Sequence, residues 1–142
     1  MKHFQRELDK IKKMILSLGA LVEKRVHQVK QVLEDRDVAK ANEIIHLDHE
    51  IDQMEVDVEE ECLKIIALHQ PVATDLRFLI AVIKINNDLE RIGDQVVNIA
   101  QRVVSISKQP VVPYRFDYSV MADKAETMLR MSLDSLVNQD LD

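Results

Sequence analysis

The chain has 142 residues, 19 Lys plus Arg against 25 Asp plus Glu, a formal net charge of −6 and 46% hydrophobic residues, enough for one domain with its own core. Only 2 Gly and 3 Pro leave too little punctuation for a meander of short strands or a phosphate-cradling glycine loop, which excludes a β-sandwich and a dinucleotide fold. An acidic chain with no Trp and 4% aromatics offers neither stacking platforms nor a basic stripe, so nucleic acid is not an expected partner.

The amino terminus, MKHFQRELDK, is charged where a signal peptide needs an apolar stretch, and the longest apolar run, Phe78 to Ile83, is far short of a membrane span. The single cysteine, Cys62, cannot form an internal disulfide. A cytoplasmic location without direct membrane insertion is expected.

Helical periodicity runs through nearly the whole chain. From Phe4, the residues Leu8, Ile11, Ile15, Leu18, Val22, Val26, Val29 and Leu33 recur at steps of three and four and lay one apolar stripe along a first helix that stops near Asp35 to Asp37. Asp37 is a suitable N-cap for a second helix, whose stripe is Ile44, Leu47, Ile51, Met54, Val58, Cys62 and Ile65. Pro71 marks the next turn, because it lacks an amide donor and biases Gln70 out of helix. A third helix is expected from Val72 to Ser107, apolar over so much of its girth that it needs neighbours on more than one side. The segment KQPVVPYRF breaks the pattern, and Ser119 can cap a fourth helix carrying Met121, Ala125, Met128, Leu129 and Leu136.

These elements predict an all-α fold, an antiparallel up-down-up bundle of three long helices over 1–108, followed by a linker at 109–118 and a further helix at 119–142. Laying the fourth helix on the first aligns Val22, Val26, Leu33 and Asp37 with Ala125, Leu129, Leu136 and Asp140, as if the fourth helix restarted the pattern.

Acidic residues fall where a solvated face would not put them. Asp48, Asp52, Glu55 and Glu59 share one narrow stripe of the second helix, flanked by apolar positions on both sides. On the third helix, Glu90 and Asp94 lie within about 20° of Ile83 at 100° per residue, on the face expected to carry Leu76, Leu79 and Val97 into the core. In a hairpin folded about Pro71, residues equidistant from the turn share a level. That pairs Asp48 with Asp94 and Asp52 with Glu90. Four carboxylates on one patch repel one another and favour raised pKa values or bound multivalent cations. An oxygen-rich set suits Mg, Ca, Mn or iron, and zinc also accepts carboxylate. Glu55, Asn87 and Asn98 stand near enough to add oxygens. The bland alternative is a solvated face in which Lys84 and Arg91 neutralise the acids.

Other candidates are weaker. Glu43 and His46 form one E-x-x-H step, where a di-iron carboxylate protein needs one on each of two helices. His3, His27, His49 and His69 show no ligand spacing and read as surface positions. Cys62 reads as a small buried thiol, and Met121, Met128 and Met131 as packing. Gly19 and Ala20 fall at the level of Asp52, marking either close helix approach or room for a cluster.

The runs DHEID, ALHQPVATDLR and KINNDLERIGDQVVNIA, with LGALVEKRV and LEDRD before them, resemble the PhoU family of phosphate-signalling regulators over residues 3 to 142. The resemblance implies two tandem three-helix bundles, each presenting a pair of E(D)-x-x-x-D motifs that can bind a polynuclear iron or zinc cluster. The first pair carries over onto Asp48 with Asp52 and Glu90 with Asp94. It further implies a non-catalytic adaptor that represses the phosphate-starvation response when phosphate is plentiful, linking the ATPase subunit of a phosphate ABC transporter to a sensor histidine kinase. The fourth helix would then be the first of a second repeat, its apolar face lacking the usual partners. Such a chain is either a piece of a longer one or completes itself as a homo-oligomer. Two other readings stand beside this one: a carboxylate-bridged di-metal oxidase and a purely structural helical module.

Overall fold

The computed structural model describes residues 2–108 and 119–140. These form four helices, α1 (Lys2–Asp35), α2 (Val38–His69), α3 (Ala73–Ser107) and α4 (Ser119–Asp140), the first three each about 50 Å long at 1.5 Å per residue. The expected linker at 109–118 and the side chains of Leu136 and Asp140 lie outside the described residues. No described helix is long and apolar enough to cross a membrane.

The helix boundaries follow from local chemistry. Arg36 enters the left-handed region at φ 52°, and Asp37 caps α2 by accepting a hydrogen bond from the Lys40 amide at 3.1 Å. Asp37→Ala removes that acceptor and is expected to lower stability by about 1 kcal/mol, read from a denaturant midpoint. At the other end Gln70, at φ 46°, donates its amide to the Ile66 carbonyl, and Pro71 cannot continue the ladder.

In the packed molecule α1 and α3 are both central. Each touches all three other helices, while α2 and α4 flank the pair on opposite sides. The α1 stripe is buried as expected from Leu8 to Val29, with Val32 rather than Leu33 completing it. The expected α3 face needs correction. Its buried arc runs through Leu79, Val82, Leu89 and Val96 and on through Ile85, Ile92 and Ile99, whereas Leu76, Ile83 and Val97 lie half-buried at the margin. Three neighbouring helices turn that arc away from Ile83. Glu90 and Asp94 are consequently exposed at the edge of the core, not in its middle.

The apolar face of α4 also has partners, contrary to expectation. Ala122, Ala125 and Leu129 are fully buried against α1 and α3. Lys30 of α1 reaches Asp123 at 2.9 Å and Glu126 at 2.8 Å, and the Ser132 hydroxyl donates to Asp88 of α3 at 3.5 Å. Gly19 serves this contact and not the acidic patch: a Cβ there would lie 2.6 Å from Leu133 Cδ2. Ala20 is exposed.

Candidate metal centre

Two close approaches fix how α2 and α3 meet. The Asn86 side-chain Nδ2 donates to the Glu55 main-chain carbonyl at 3.0 Å, and a Cβ on Gly93 would sit 3.6 Å from Ile51 Cγ2. Both pairs are nearly equidistant from Pro71. The level-matching of Asp48 with Asp94 and of Asp52 with Glu90 follows directly.

The electrostatics agree with that register. The Asp48 carboxyl, half-buried, is raised by burial first and then by Asp52 and Asp94, with His49 opposing. Asp94 is raised by burial and then by Asp52. Glu55 is the deepest of the set, only 6% exposed, and is pushed up to about 8 by burial, then by Glu90, Asp52, Asp94 and Asp48. Five carboxylates therefore feel one another across the α2–α3 seam, and the one under greatest stress lies at its floor.

Burial leaves specific atoms without partners. Glu55 Oε1 and Asn86 Oδ1 are buried and accept no hydrogen bond. A buried acceptor in that state costs about 1–3 kcal/mol unless a proton or a cation reaches it. Arg91 pairs with Asp88 on its own helix, and no ion pair joins Lys84 or Arg91 to Asp48, Asp52, Glu90 or Asp94 among the described residues. In the side-chain conformations present, no three His, Cys, Asp or Glu among the described residues are close enough together to hold a metal ion. The carboxylates share a field without converging on a point.

The chemistry of the donors suits a hard or borderline cation. Asp48, Asp52, Glu90 and Asp94 line the rim, and Glu55 supplies an orphaned oxygen beneath them. Asn87 and Asn98 are exposed, and among the described residues neither makes a side-chain hydrogen bond to the acids. The asparagine that meets the site is Asn86, missed because it falls on the core-facing side of α3. The adjacent pair Asn86–Asn87 was its only signal.

The remaining candidates fall elsewhere. Glu43 and His46 are exposed, on the side of α2 turned away from the acids. Cys62 is fully buried, and its thiol is pushed up to about 12 by burial, then by Glu61 and Glu59, surroundings that suit a small packing side chain. All five histidines are exposed; His3 and His69 share the Glu7 carboxylate at 3.0 Å and 2.8 Å. Buried Arg25 passed unnoticed in the sequence beside the Val22–Val26 stripe. It joins α1 to α2 through Glu50 at 3.1 Å and donates to Gln28 at 3.0 Å.

Comparison with known proteins places the chain in a family. A PhoU domain model matches residues 15–103. A phosphate-specific transport system accessory protein PhoU homolog of Aquifex aeolicus is 35% identical over 135 residues, covering 95% of this chain and 61% of that protein. Its counterpart in Pseudomonas putida is 34% identical over 142 residues, covering 99% and 56%. The crystal structure of PhoU from Pseudomonas aeruginosa matches with a TM-score of 0.84 at 33% identity, covering 95% of this chain and 65% of that one. The phosphate transport system regulatory protein PhoU from Streptococcus pneumoniae gives 0.74 at 30% identity, covering 94% and 61%. The chain thus spans roughly three fifths of the length of these relatives.

Proposed function

The chain belongs to the PhoU family, and from that premise we propose that it is a metal-binding helical adaptor in the control of phosphate uptake. Its relatives are named as accessory proteins of the phosphate-specific transport system, which supports association with that transporter. On this reading the ATPase subunit of a phosphate ABC transporter and a sensor histidine kinase are the two partners joined, and the output is repression when phosphate is plentiful. α4 is read as the first helix of a second repeat.

The observation that carries the metal part is Glu55, a buried carboxylate with an orphaned oxygen beneath four acids that make no ion pair among the described residues. Asp48 and Asp52 of α2 and Glu90 and Asp94 of α3 would hold the ion from the rim, and Glu55 from below. A bound iron or zinc centre, or Mg, Mn or Ca, supplies positive charge that cross-links the two helices. The protein's part is to hold five carboxylates close enough that their repulsion favours such an ion. Binding rather than catalysis is also favoured by the exposed positions of Glu43 and His46, turned from the acids, and by the burial of Cys62.

Elemental analysis of the purified chain tests this reading. Asp94→Ala is expected to lose most of the bound metal and to melt at a lower temperature than the metal-loaded parent. Unchanged metal content in that variant overturns the assignment.

A further inference from the structure

On the side of α2 turned from the acids, the groove between α1 and α2 opens into a cavity of about 340 Å³. At about 100° per residue, Asp48 and Asp52 project from one side of α2, and Met54 and Asp57 from the other. The floor of the cavity is apolar, formed by Met14 of α1 with Met54 and buried Val58 of α2. Two unbranched thioether side chains make that floor adaptable to the shape of a ligand. Lys10, Lys13 and Ser17 line the cavity from α1. From Arg6 to Gln31, the arc of α1 that carries these three also carries Arg6 and Lys24, and no acid falls on it.

The polar groups at the mouth differ in what they already hold. Asp57 accepts a hydrogen bond from Gln53 at 2.9 Å, and Glu61, one turn further along α2, meets Lys10 at 3.7 Å. Lys13 and Ser17, four residues apart on one face of α1, make neither a hydrogen bond nor an ion pair among the described residues. An unused ammonium and an unused hydroxyl therefore stand over an apolar floor whose neighbouring acids are engaged.

We propose that this cavity binds an aliphatic carboxylate of medium chain length. The Lys13 ammonium donates to one carboxylate oxygen and the Ser17 hydroxyl to the other, and the tail lies along Met14, Met54 and Val58. Size and charge select this class. The volume is at the small end of the range of about 300–1,000 Å³ found for small-molecule sites, and an apolar lining with a few convergent polar groups is their usual character. From Lys10 to Ser17 the groove runs only about 10 Å, two turns of helix, which suits a small molecule better than a partner helix. A cationic amphiphile would meet the uncompensated Lys13, and a neutral one would leave its charge unused. The site shares no residue with the acidic seam, so the inference goes beyond the metal reading and stands without it.

Isothermal titration of the full chain with hexanoate, octanoate and decanoate, each below its micellar concentration, tests the proposal. EDTA is present throughout, so the outcome is separate from that of the metal assay. One carboxylate per chain is expected to bind, with affinity rising by about two- to fourfold for each added methylene. Decylammonium is expected not to bind. Lys13→Gln/Ser17→Ala, both at exposed positions, is expected to weaken decanoate binding by about tenfold with an unchanged circular dichroism melt, and Lys13→Arg to retain it. Leu68→Ser, at an exposed apolar position outside the cavity, is expected to bind like the parent. Equal affinity for hexanoate and decanoate overturns the proposal, since charge alone is then read. Equal binding of decylammonium, or by the double variant, overturns it as well. So does a parent chain that self-associates or adheres to phosphatidylglycerol vesicles through Lys13, because the occupant is then a second copy or a lipid surface.

Discussion

In the presence of a chelator the chain is expected to lose thermal stability as the pH rises from about 4.5 toward 8, and Glu55→Gln to remove most of that loss. The sign follows from the direction of the shift. The Glu55 carboxyl is raised on folding from 4.5 to about 8, so between those values the folded chain keeps a proton that the unfolded chain has released. Stability therefore falls with rising pH through this window, and above it the folded chain carries the full burden of a buried anion. Asp48 and Asp94, both raised, act in the same direction. Glu126, held low by its hydrogen bond from Lys30, contributes stability that is lost on acidification, but below the ordinary carboxylate range and so outside this window. Glu55→Gln removes the charge while keeping the shape, and is expected to be more stable than the parent by about 1–3 kcal/mol near pH 8.5 and nearly equal to it near pH 5. Melts followed by circular dichroism at the two pH values decide it. A parent chain equally stable at both would show that Glu55 is not buried as an acid.

The second large effect is expected at Leu129. Its side chain is fully buried where α4 meets α1 and α3, so Leu129→Ala deletes core contacts and leaves a cavity, at a cost of about 2–5 kcal/mol. Met131, two residues on and 68% exposed, is the control: Met131→Ala should fall within about 0.5 kcal/mol of the parent. Urea unfolding followed by circular dichroism should show one transition moved to lower denaturant in Leu129→Ala. An unmoved transition would mean that α4 adds nothing to the stability of α1–α3.

Both experiments bear on features that the sequence only partly displayed. Helix number, length and order were legible because periodicity, Asp37 and Pro71 are local signals, each acting over a turn or two of chain. The pairing of acids across the seam was legible for a related reason. A short turn about Pro71 ties residue number to height, so Asp48 with Asp94 follows from counting alone. Rotation about each helix axis was not legible to the same degree. α3 is apolar over most of its girth, and nothing along it says which part faces α1, α2 or α4. Glu90 and Asp94 were therefore expected at the centre of the core face and stand instead at its rim, while the deeply buried acid is Glu55.

Gly19 and Arg25 teach the same lesson. A glycine in the middle of a helix announces close approach but not the approaching group, which proves to be Leu133 of α4 rather than the acidic patch. An arginine beside an apolar stripe is read as solvent-facing until α2 brings Glu50 against it.

By itself the sequence determined the four helices, their ends, the antiparallel level of α2 against α3 and the family to which the chain belongs, since all of these are written in spacing and in motifs along one dimension. Only the tertiary structure decided that α1 and α3 form the centre, that α4 covers them, and that Glu55 carries the strain of the acidic seam. Burial is a property of neighbours, and a helix's neighbours are chosen by the packing of all four at once.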